Sequence, residues 1–139
     1  MSKTNVEWDD WKREQDEQAV LRKDDMIAQG LPHVKPELAD EWRAYVTKNS
    51  DDGYSGAVVR GSVEGLKVLA SGGTPKEAED TACQYAETGF MMGCAAHALS
   101  YFSPRGEEFR LHWNSLYMKP EQVAASTGVV NPAILTIKL

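Results

Sequence analysis

Cysteine is scarce in this chain: Cys83 and Cys94 are the only two among 139 residues. Two thiols cannot staple a small secreted scaffold, so a disulfide-built fold is excluded and a reduced, cytoplasmic protein is the expectation. No apolar run approaches the roughly 20 residues that a bilayer span needs. Residues 1–30 are polar and charged with no apolar leader core, so no secretory signal is expected. Basic clusters are missing as well, with 15 Lys and Arg against 21 Asp and Glu and a net charge of −6. A chain of that sign does not repay counterion release from phosphates, which excludes nucleic acid as a partner and argues against an anionic membrane surface. An acidic decoy for a nucleic-acid-binding protein is a remote alternative, because the acids are spread along the chain rather than tracing a phosphate path. No glycine-rich turn leads from a strand into a helix with Lys-Ser or Lys-Thr, so there is no phosphate loop.

What is present is an echo. From Gly53 and again from Gly89, 36 positions on, Tyr54 answers to Phe90, Val58 to Cys94, Val63 to Leu99 and Leu66 to Phe102. A stripe of small residues runs beside that apolar set at four-residue spacing: Gly53, Ala57, Gly61 and Gly65, then Gly89 and Gly93, with His97 where the first copy has Gly61. Self-similarity at such a period predicts a helical unit used twice, with a stripe that lets backbones approach closely. The period lies near the roughly 34 residues of tetratricopeptide repeats. The early Trp-x-x-Leu-Gly of that repeat is missing from both copies, so no family is assigned.

The punctuation places helices over about 5–29, 36–49, 54–71, 75–88, 90–102 and 107–117. Gly30 and Pro32 stop the first, Pro36 opens the second, and Gly72-Gly73 ends the third. Thr74 and Glu77 form a capping box with Pro75 at the first helical position. Residues 90–102 are apolar nearly all round, which predicts a central helix. After Pro120 one or two helical turns are expected. Beyond Pro132, the alternation of Leu135, Ile137 and Leu139 with Thr136 and Lys138 suits an extended strand. The expected fold is all-α: a single-domain bundle of five or six helices on a duplicated pair. An N-terminal arm covers residues 1–30, a core with units 36–72 and 75–118 lies within 31–119, and a tail occupies 120–139.

Candidate chemistry is sparse. Cys83, Cys94, His97 and His112 would fall at one level of two antiparallel hairpins and offer a four-ligand zinc site. Familiar ligand spacing such as Cys-x2-Cys is absent, so a metal-free packed core is preferred and no cofactor is expected. His97 is the other candidate, either a hydrogen-bonded core histidine or a general base, with Tyr101 one turn on and Arg110 across the hairpin. Acid pairs such as Asp40-Glu41, Glu79-Asp80 and Glu107-Glu108 sit near helix starts, where the helix dipole accounts for them.

The leading functional expectation is therefore a non-enzymatic helical protein acting through protein–protein contact or as a homo-oligomer. Its interface candidates are Trp8 and Trp11 on the charged arm and Leu135, Ile137 and Leu139 in the tail, since aromatic anchors commonly carry interface energy. The alternative is a small-molecule-binding protein or enzyme with a pocket between the repeat helices, lined by His97, Tyr101, Arg110, His112 and Trp113. A cavity of several hundred Å³ beside His97 favours that alternative; tight helix contact there favours the first reading.

Overall fold

The structure, a computed structural model, describes residues 5–49, 53–125 and 130. The described residues form seven α-helices and two 3-10 turns, with no strand among them. The all-α expectation holds for them, while the expected strand over 133–139 lies outside the described residues. In chain order the helices are α1 (Asn5–Gly30), α2 (Ala39–Asn49), α3 (Tyr54–Ala70), α4 (Pro75–Cys83), α5 (Gly89–Phe102), α6 (Gly106–Ser115) and α7 (Pro120–Ala125). The six-residue α7 is the segment for which one or two turns are predicted.

The arm is held at one end. Met26, Ile27 and Leu31 pack on the core, whereas Val6, Trp8 and Trp11 near its start stay exposed. The Trp42 ring of α2 lies so close over Gly30 that a Cβ there would overlap it. The same ring donates from Nε1 to the Ile27 carbonyl at 3.2 Å. Fully burying a ring of this size contributes on the order of 2–3 kcal/mol, which clamps the end of α1 to α2.

Helix α3 is bounded by two glycines in the left-handed region. Gly53 (φ 97°) leads the chain into it, and Gly72 (φ 90°) leads it out. At the exit the Gly73 amide donates to Val68 O at 2.9 Å and the Gly72 amide to Leu69 O at 3.3 Å. That pair of bonds is a Schellman motif, which only a residue without a Cβ closes cheaply. Arg105, far along the chain, donates from Nη1 to both Leu69 O (2.8 Å) and Gly73 O (2.6 Å). A cation thus sits on the last carbonyls of α3, where the helix dipole is negative.

Helix α4 begins with the predicted capping box: Glu77 N to Thr74 Oγ1 at 3.1 Å, and Thr74 N to Glu77 Oε1 at 3.0 Å. It ends at Cys83, five residues before the end predicted from sequence. The cause lies in residues 86 and 88. Ala86 is fully buried against Gly61 of α3, and Thr88 takes an extended conformation so that its hydroxyl accepts from Met91 N at 3.1 Å and starts α5. A helix running through Thr88 would forfeit both.

Helix α3 touches α1, α2, α4 and α5, and α5 lies between α3 and α6 and also meets α4. The central role expected of α5 is therefore shared with α3. The small-residue stripe divides in two. In the first copy Gly53 is exposed and Ala57 half-buried, but Gly61 and Gly65 are buried: a Cβ on Gly61 would stand 3.0 Å from the Ala82 carbonyl oxygen, and one on Gly65 would stand 2.8 Å from Leu99. In α5, Gly93 is buried but Gly89 and His97 are exposed. The core gathers Trp42, Val46, Val59, Val63, Leu66, Leu69, Leu99, Phe109 and Trp113, and Val130 joins it.

Candidate functional site

The stripe position that distinguishes the two copies opens onto a cavity. Its volume is about 350 Å³, within the range of small-ligand pockets. Three helices build it. Tyr45 and Asn49 come from the last turns of α2, Ser55 and Val58 from the start of α3, and Phe90, Met91, Cys94 and His97 from the first three turns of α5. Positions 90, 94 and 97 share one face of α5 because they lie three and four apart. Ser55 and His97 are exposed and Val58 and Met91 are buried, so the cavity is a cleft with a wet mouth and an apolar floor.

The α2 wall is set by aromatic packing. The Tyr45 ring lies 5.6 Å from Trp42 and 5.5 Å from Phe102, centroid to centroid, and Trp42 meets Phe102 edge-on at 5.1 Å. The phenol reaches Ser62 Oγ at 3.3 Å, and Ser62 in turn donates to Val58 O at 2.8 Å. Burial pushes the Tyr45 phenol up to about 12, so it stays protonated across the physiological range. Asn49 donates from Nδ2 to the Tyr45 carbonyl at 2.9 Å, which ends α2 and holds the amide at the mouth. Burial also raises the Cys94 thiol above its ordinary value. A thiol of that kind is a poor nucleophile at neutral pH, although His97 stands three residues on. Among the described residues, none of the eight that line the cavity is Lys, Arg, Asp or Glu.

The other residues singled out from sequence lie elsewhere. Tyr101 is exposed and its hydroxyl donates to Glu41 of α2. Arg110 is buried, pairing with Glu107 through Nε at 3.0 Å and through Nη2. That pairing holds the Glu107 carboxyl below its usual range. His112 Nε2 meets Glu79 Oε1 at 2.8 Å and ties α6 to α4. Trp113 is buried, its ring stacked 6.4 Å from Phe109 and tilted 5.1 Å from Tyr117. The cavity therefore takes in His97 from the pocket expected between the repeat helices, and none of the other four.

The four zinc candidates are not brought together. Cys94 and His97 share the cavity wall, while the exposed Cys83 sits on α4 and His112 is engaged with Glu79. Among the described residues, no group of three or more His, Cys, Asp and Glu is placed to hold a metal ion. Of the interface candidates, Trp8 and Trp11 are 50% and 44% exposed, with their rings edge-to-face at 5.6 Å. Leu135, Ile137 and Leu139 lie outside the described residues.

Sequence reasoning missed Tyr45, Asn49, Ser55 and Val58. Tyr45 is indistinguishable from its core neighbours at helical spacing, Asn49 from the turn residues that follow it, and Ser55 from any other polar residue in the first turn of a helix. The available signal was position: both polar residues flank the same turn and face the helix that carries His97. Among the described residues, no helix is long and apolar enough to cross a membrane. No protein-family model, curated protein or solved structure matches this chain.

Proposed function

We propose that this chain is a small-molecule-binding protein whose site is the cleft between α2, α3 and α5. One observation carries the reading: about 350 Å³ of apolar-floored space beside His97, where the echoed helix has a glycine in contact with its neighbour. Convergent polar groups at the rim of an apolar pocket are the usual form of a ligand site. Binding is favoured over catalysis because the thiol beside His97 is raised rather than lowered. The two free thiols accord with a reducing, cytoplasmic setting. The reading of residues 36–72 and 75–118 as a duplicated pair belongs to the same proposal, supported by both long helices starting at or beside a matched glycine.

The test is a backbone-amide NMR titration with a neutral aromatic probe, on the wild-type chain and on Val58→Trp, which fills the cleft. Saturable shifts at Asn49, Ser55, Cys94 and His97 in the wild type alone support the reading. Absence of any shift there overturns it.

A second reading has its own observation. Trp8 and Trp11 are about half exposed near the start of an arm whose other end is clamped at Gly30, and aromatic side chains are frequent interface anchors. Such an arm would serve association with a protein partner or a second copy. Removing residues 1–12 and measuring mass by light scattering decides the homo-oligomer form: a monomer both before and after removal ends it.

A further inference from the structure

The hydrogen-bond polarity of the cleft says more about its occupant than its size does. Ser62 has one hydroxyl hydrogen, and it is given to Val58 O at 2.8 Å. At the 3.3 Å contact with Tyr45, Ser62 must therefore accept and the phenol must donate. Tyr45 Oη is left with lone pairs and no hydrogen to offer. Asn49 is oriented by its Nδ2 bond to the Tyr45 carbonyl, which leaves Oδ1 as an acceptor at the same wall and its second N–H as a donor. Two neighbouring polar groups of the cleft thus present acceptors. The floor beneath them is Val58, Phe90 and Met91.

Charge narrows the class further. With no Asp or Glu among the described lining residues, a buried ammonium would find no counter-ion among them. A carboxylate would leave water for an apolar floor with no Lys or Arg among the described lining residues to pair it. Size sets the scale, since a dry cavity of roughly 150 Å³ already holds a benzene ring. Resting on the reading of the cleft as a binding site, we propose that it selects an uncharged one- or two-ring molecule. That molecule brings its own O–H or N–H donor, of the phenol or indole kind, to Tyr45 Oη and Asn49 Oδ1.

The experiment is an NMR-detected titration of the wild-type chain with phenol, toluene, benzoate and benzylammonium, repeated on Tyr45→Phe with phenol and toluene. The proposal expects phenol to bind about tenfold tighter than toluene, the worth of one net hydrogen bond. Both charged analogues should bind more weakly than toluene. Tyr45→Phe should shrink the phenol–toluene gap several-fold and leave toluene unchanged. Toluene equal to phenol, a charged analogue tighter than phenol, or a gap untouched by Tyr45→Phe overturns the donor class while the cleft survives as a site. Failure of all four probes to shift any residue of the cleft overturns the binding reading itself.

Discussion

On one flank of α3, Gly61 lets the helix come so near α4 that a Cβ would stand 3.0 Å from the Ala82 carbonyl oxygen. On the other flank, beside Ser55 and Val58, the helices α2 and α5 stand off and leave about 350 Å³ between them. Both flanks draw on short side chains: Gly61, Ala82 and Ala86 on the first, Ser55, Val58 and Cys94 on the second. The difference lies in what faces them. Across the first flank the partner is also small, so two backbones close together. Across the second the partners are Tyr45, Phe90 and Met91, long side chains that hold the backbones apart and leave room between their tips. At Gly61 the seal comes from small residues on both sides.

That contrast is open to mutation. On the sealed flank, Gly61→Leu has nowhere to go except into the α4 backbone, and we expect it to cost about 3 kcal/mol in chemical denaturation. On the open flank, Val58→Trp grows into empty space. Its cost should stay below about 1.5 kcal/mol, while aromatic probes lose their binding. Equal penalties at positions 61 and 58 would mean that the flanks do not differ.

Tyr45 in the wall of the cleft adds a pH signature. The folded-state phenol of Tyr45 lies at about 12, above its ordinary 10.0. Between those values the unfolded chain sheds a proton that the folded chain retains. Stability is therefore undiminished below about pH 10 and falls as the pH climbs towards about 12. Denaturation midpoints measured from pH 9 to 12 should show that fall in the wild type and less of it in Tyr45→Phe. At the mouth the effect is smallest: His97→Ala touches an exposed side chain and should alter stability by less than about 0.5 kcal/mol.

Much of the fold was legible because it is written locally. Pro75, the Gly72-Gly73 pair and the Thr74–Glu77 box each act within a turn of the chain and mark a helix start or end where expected, while Pro36 opens a 3-10 turn that leads into α2 at Ala39. The end of α4 was not legible, because it depends on Ala86 finding Gly61 some 25 positions earlier. The Arg105 cap on α3 joins residues 36 and 32 apart and leaves no trace in any window. At the site, His97 was visible as the one ionisable group in a stripe of small residues. The helix that would face it was not. Placing Arg110 and His112 across a hairpin from it assumed that their side chains turn the same way. In the fold they turn to Glu107 and Glu79, and α2 supplies the opposite wall of the cleft.

The two free thiols provide the most direct check on the open flank. Cys94 lies in the cleft wall and Cys83 stands exposed on α4, outside it, so one chain carries both a reporter and its control. Alkylation should be followed at each cysteine by mass spectrometry with and without saturating phenol. An occupied cleft predicts that Cys94 slows several-fold while Cys83 keeps its rate. A ratio of the two rates that phenol leaves unchanged would contradict it.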